Sequence, residues 1–140
     1  MATIIELYQN TAKNLAKVLS NQPGNEISAI VLYGSAARGE ASRRSDIDIL
    51  ILADHPDRVR LHVAEVEEAL DAENGYSTFL ASVYLTPDEF RHLVVAGSPF
   101  AEAVLEDGIA LYDNGAFRQV REHGFATGKR DVVRRKAYAR

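Results

Sequence analysis

The chain contains no cysteine and no tryptophan. The missing cysteines exclude a disulfide framework, a Cys-based zinc site, an iron-sulfur cluster and a thiol nucleophile, and they fit a reducing, cytoplasmic setting. Long apolar runs are absent as well. The longest are strand-sized, and residues Met1 to Glu6 carry neither a basic region nor an extended apolar stretch, so no membrane span and no signal peptide are expected. Net positive charge is also lacking: the formal charge is -4, which argues against broad electrostatic coating of nucleic acid.

What is present is enough apolar material for one ordinary domain. With 140 residues, 46% of them hydrophobic, folding can bury about two-thirds of the unfolded surface without a covalent staple, and a second full domain does not fit. The charge is unevenly spread. Residues 129–140 hold 6 basic residues against 1 acidic, leaving 10 basic and 19 acidic, a net -9, for residues 1–128. The division expected is a folded domain over 1–128 and a basic C-terminal tail over 129–140.

Apolar residues at Ile4, Leu7 or Tyr8, Thr11 or Ala12, Leu15 and Val18 recur with helical spacing and predict a helix over residues 3–20. The period then changes. Ile27 to Tyr33 and Ile47 to Ala53 are short, β-branched runs that predict buried strands, and Pro56 opens a helix with Val59, Val63, Val66 and Leu70 inward and charges outward. A third strand is expected over Thr78 to Leu85. Thr86-Pro87-Asp88-Glu89 has the pattern of a capped helix start leading to Ala96, a further helix covers Phe100 to Glu106, and Ile109 to Tyr112 forms a last short strand. Strands interleaved with helices make this an α/β (α+β) fold with a small mixed central sheet flanked by helices.

The informative stretch runs from Tyr33 to Leu52. Asp46 and Asp48 stand at the start of an apolar strand, two residues apart and therefore on one face, where burying either carboxylate alone would cost on the order of several kcal/mol. A divalent cation removes that conflict, and Mg²⁺ (or Mn²⁺) suits two carboxylates that leave positions for water and phosphate oxygens. Gly34 and Ser35, at the end of the preceding strand, offer close backbone approach and a hydroxyl to a phosphate. Arg38, Arg43, Arg44 and Ser45 lie on the connecting segment and can meet the remaining phosphate charge. The ligand these groups imply is a nucleoside triphosphate with its metal. Asp54 shares the parity of the pair but lies six residues beyond Asp48, about 20 Å along a strand, and cannot join it. His55, His62, His92 and His123 have no metal-ligand spacing and are expected on the surface.

Gly34-Ser35, ten intervening residues and Asp46-x-Asp48, with Ala37-Arg38-Gly39 between and a hydrophobic strand before, resemble the signature of the DNA polymerase beta-like nucleotidyltransferase superfamily. The short chain, the Thr86 to Phe90 turn and the ending Leu105 to Tyr112 resemble its minimal nucleotidyltransferase branch. The resemblance implies Mg²⁺-dependent transfer of a nucleoside monophosphate, AMP from ATP, to an acceptor hydroxyl, with Asp46 and Asp48 holding metal and Gly34 and Ser35 contacting phosphate. Relatives of this branch act as antitoxins that adenylylate a tyrosine of a helical HEPN ribonuclease toxin. The implied partner is such a toxin or a second copy of the chain, and nucleic acid and membrane are not expected. Active relatives also place a third carboxylate on the next strand. Here that strand has no acid, and Ser82 or Val83 aligns with it. The same residues therefore also allow a module that neutralises its partner by contact, without turnover.

Overall fold

In the computed structural model, residues 3–126 are described. The basic tail, with its expected boundary at residue 129, lies outside them.

The order along the chain is Ile4–Ser20 (α1), Ile27–Tyr33 (β1), Gly34–Arg38 (α2), Ile47–Ala53 (β2), Pro56–Glu73 (α3), Leu80–Leu85 (β3), Pro87–Val95 (α4), Pro99–Asp107 (α5), Ile109–Asp113 (β4) and Ala116–Ala126 (α6). The sheet has the order β3-β2-β1-β4, with β1 antiparallel to both neighbours and β2 parallel to β3. It is the mixed sheet expected.

Helices cover both faces, which is why β1 and β2 are apolar at nearly every position. Ile47, Ile49 and Ile51 of β2 pack with Tyr8, Leu15 and Leu19 of α1 and Val59 and Val63 of α3. Leu50 and Leu52 face the opposite way, onto Phe90, Val94, Val104, Phe117 and Val120 of α4, α5 and α6. Residues of odd and even parity on β2 thus belong to two separate cores. Asp48 has even parity and opens toward the side of α4, α5 and α6.

Four local details differ from expectation. Val18 is 40% exposed and Leu19 takes its place in the core, because the buried stripe Tyr8, Ala12, Leu15, Leu19 follows the helical period one residue later. On α3 the charged face is not wholly solvated: Glu67 and Asp71 are buried in line with Val59 and Val63. The ladder of β3 starts at Leu80, since Thr78 turns its hydroxyl onto Asp71 instead. Finally, α6 was not anticipated after the Asp113-Asn114-Gly115 turn. The carboxylate of Asp113 accepts the N–H groups of Gly115, Phe117 and Arg118 at 2.8, 3.1 and 3.0 Å and caps that helix. The capping box at Thr86 and Glu89 is present, with bonds of 3.0 and 2.8 Å. No described helix is long and apolar enough to cross a membrane.

Candidate active site

The antiparallel pairing of β1 with β2 sets Tyr33 opposite Asp48 and so brings Gly34 to the second carboxylate of the pair. Gly34 is needed there for two reasons. Its φ is +76°, a conformation L side chains rarely adopt, and a Cβ at this position would collide with the Asp48 carboxylate. The chain then forms the five-residue α2, whose Ala36 is fully buried, and leaves it through Gly39 at φ 74°. A helix this short is not stable by itself. It is held from outside: Gln9 of α1 donates its Nε2 to the Ala36 carbonyl at 2.9 Å, and Arg38 donates to Glu40 at 2.9 Å and to Asp107 of α5 at 3.1 Å.

A turn closed by Ser42 and Ser45 precedes β2. The Ser45 N–H donates to the Ser42 carbonyl at 3.0 Å, and Ser45 Oγ accepts the Ser42 N–H at 2.9 Å. Arg43 and Arg44 sit exposed on this turn. They part there: Arg43 lines a cleft with Ile4, Leu7, Tyr8, Tyr76 and Ser77, on the α1 side of the sheet. Asp46 follows, exposed, and Asp48 is partly buried.

Burial, and then the nearby Asp46, push the Asp48 carboxyl above its usual range, with Arg38 opposing the rise. Burial and then Asp48 also push the Tyr33 hydroxyl up to about 12, so it stays protonated. Among the described residues, no hydrogen bond reaches the carboxylate of Asp46 or Asp48. Two adjacent carboxylates without donors, against a glycine cradle that a Cβ would fill, are a hard oxygen ligand set that fits a divalent cation sharing its remaining positions with water or phosphate. No group of three or more His, Asp or Glu residues placed to hold a metal occurs among the described residues.

The structure thus brings Gly34, Asp46 and Asp48 together, with Ser35 next in line. It commits Arg38 to Glu40 and Asp107, and Ser45 to closing its turn.

The position of the absent third acid is set by the β2–β3 register, which pairs Asp48 with Ala81, Ile49 with Ser82 and Leu50 with Val83. Ser82 therefore lies on the far face, where its hydroxyl donates to the Glu67 carboxylate. Val83 shares the face of Asp48, as does Ala81, and neither side chain can take a proton. Asp88 and Glu89 belong to the start of α4: Asp88 pairs with Arg91 and lies 3.6 Å from His92, and Glu89 completes the capping box. Two acids that sequence reading did not single out matter here. Asp107 meets Arg38 from 69 residues away, a pairing without a local spacing signal. Glu67 belongs by residue type to the charged side of α3, yet its period of four with Val59 and Val63 turns it inward.

All four histidines are exposed as expected.

Comparisons with known proteins bear on the family and the fold. The family model described as "Polymerase beta, Nucleotidyltransferase" matches residues 13–116. A crystal structure of a toxin-antitoxin with AMP-PNP is similar in fold, with a TM-score of 0.52 and 19% identity, over 94% of each chain. A mutant of the toxin-antitoxin MntA-HpeT is similar with a TM-score of 0.53 and 17% identity, also over 94% of each chain. No curated protein matches the chain significantly. With the matched segment spanning both half-motifs and all four strands, the chain belongs to the polymerase beta nucleotidyltransferase family.

Proposed function

We propose that the chain is an Mg²⁺-dependent (or Mn²⁺-dependent) nucleotidyltransferase that moves AMP from ATP to a hydroxyl of a partner protein, a tyrosine of a helical HEPN-type toxin, in the role of an antitoxin. The observation that carries this reading is the Asp46 and Asp48 pair, which receives no hydrogen bond among the described residues and whose Asp48 is pressed against Gly34. The AMP-PNP of one similar toxin-antitoxin structure supports the choice of nucleotide and of partner.

Asp46 and Asp48 would hold the metal, whose contribution is to neutralise charge on the phosphates. The residues of the chain do the rest. Gly34 admits the phosphate to the backbone, Ser35 offers its hydroxyl, and Arg38, Arg44 and the Ser45 hydroxyl proton meet the remaining charge. The acceptor oxygen forms a bond to the α-phosphorus as the bond to pyrophosphate breaks, and the acceptor proton passes to a base. Because Ala81 and Val83 supply none, the partner provides it, or the proton leaves to solvent and the transfer is slow.

That same feature favours a second reading, a nucleotide-binding module that neutralises its partner by contact alone. Mixing the chain with labelled ATP, Mg²⁺ and the protein encoded beside it separates the two. Label is expected on the partner and is expected to vanish, by at least about 100-fold, in Asp46→Asn and Asp48→Asn. Equal protection of the partner by wild type and Asp46→Asn, without label, establishes the contact reading instead.

A further inference from the structure

The ending Leu105 to Tyr112 carries one residue that reaches the nucleotide site. Asp107 closes α5, and its Oδ2 accepts from Nη1 of Arg38 at 3.1 Å, while Nε of the same guanidinium donates to Glu40 at 2.9 Å. Arg38 is thus fixed at two nitrogens, one toward its own loop and one toward a helix distant in sequence. It is also the cation opposed to Asp48. Asp107 in turn stands on an anchored helix end. Arg121 of α6 donates to the carbonyls of Leu105 and Gly108 at 3.0 and 2.9 Å, and Gly108 lies so close to the Val104 carbonyl that a Cβ there would collide with it. Ala101, Val104 and Leu105 bury the rest of α5. The phosphate-contact segment therefore has a rigid support on one side through Asp107, and on the other through the Gln9 bond to Ala36.

We propose that Asp107 is a positioning residue of the nucleotide site, holding Arg38 and, through it, the Gly34-Ser35 segment in register with Asp46 and Asp48. This deepens the nucleotidyltransferase reading and rests on it. The pair is partly solvated, with the two side chains 40% and 25% exposed, so its contribution is geometric more than energetic. A side chain as long and free as that of Arg38 would otherwise sample many rotamers, and the five-residue α2 has little stability of its own to resist it.

Binding of Mg-ATP by Asp107→Ala, Arg38→Ala and the double variant tests this, with melting temperature measured in parallel. Each single variant is expected to weaken binding about fivefold, and the double variant no further than Arg38→Ala, because Asp107 acts only through Arg38. In turnover by Asp107→Ala the loss is expected in KM for ATP, with kcat held and the melting temperature nearly unchanged. Unchanged affinity in Asp107→Ala, or losses that add in the double variant, overturns the proposal. Amide exchange without nucleotide keeps the two readings separable. The N–H groups of Gly39 and Glu40, which close α2 on Ala36 and Ser35, are expected to exchange faster in Asp107→Ala while those of α4 do not. Should wild type bind no Mg-ATP at all, the function assigned above fails, whereas unchanged exchange at Gly39 and Glu40 overturns the role of Asp107.

Discussion

Two pairs of carboxylates lie on opposite faces of the β2 and β3 strands, and they differ in what surrounds them. Glu67 and Asp71, one helical turn apart on α3, are 9% and 6% exposed, yet both have donors. Asp71 accepts the Thr78 hydroxyl at 2.7 Å and the Leu80 N–H at 3.1 Å, and Glu67 accepts the Ser82 hydroxyl. Asp46 and Asp48, two residues apart at the mouth of β2, are more exposed and receive no hydrogen bond among the described residues. Burial therefore does not mark the site. A buried carboxylate with its donors in place fixes α3 against the edge strand, whereas an exposed and a partly buried carboxylate side by side, with no donor among the described residues, form a ligand set waiting for charge. Natural folds tolerate such local conflict chiefly where function needs it.

The contrast is sharpest if one acid is removed from each pair. Asp71→Ala leaves the Thr78 hydroxyl proton without its acceptor, although Asn74 still donates to the Thr78 oxygen, and leaves the Leu80 N–H without its side-chain partner; it is expected to cost about 3 kcal/mol of stability, measured by urea unfolding. Asp48→Asn is expected to do the reverse in metal-free buffer. Burial and Asp46 raise the native Asp48 pKa, so its contribution to stability is complete below the ordinary carboxylate range and is lost as pH rises through the raised native value. The asparagine variant should then melt higher than wild type at neutral pH, while losing Mg-nucleotide binding. A fall in its melting temperature would mean that Asp48 is structural, like Asp71.

Gly34→Ala probes the close approach itself. With a φ of +76° and a Cβ driven into the Asp48 carboxylate, it is expected to lose about 1–3 kcal/mol and most of its Mg-ATP affinity, read by unfolding and calorimetry together. The same change at Gly24, also at positive φ but with open space around its Cβ, is the matched control and should leave affinity intact.

The smallest effect concerns Glu67. Its carboxyl is raised mainly by burial and further by Asp71, against the bond from Ser82. Wild-type stability should accordingly decline as pH climbs from the ordinary carboxylate range through the raised native value. Glu67→Gln should flatten that slope without altering ATP affinity. An unchanged slope would show that the Ser82 bond cancels the effect of burial.

Elements with a strong local signal were legible before any coordinates. The apolar runs of β1 and β2 could only be buried strands, and Pro56 and the Thr86 to Glu89 box named their helix starts. The Asp46-x-Asp48 parity announced one face, and the register confirms that Asp48 and Leu50 share it. Less legible was α6, whose cap at Asp113 reads locally as the end of a strand and a turn. Val18 and Leu19 were equally apolar, and only packing against α3 and the sheet chose between them.

The sequence by itself determined the family, the order of the strands and of the longer helices before α6, and the two half-motifs that supply the carboxylates and the glycine. Those depend on residue type and spacing over a few positions, which a linear chain displays openly. Tertiary structure decided which neighbours each acid has. The β2–β3 register alone put Ser82 on the far face and Ala81 and Val83 beside Asp48, and the docking of α5 alone brought Asp107 to Arg38. Such pairings join residues tens of positions apart, and a change of one residue in register would exchange the faces. Their physical basis is the packing of two cores on one sheet, which no short stretch of sequence contains.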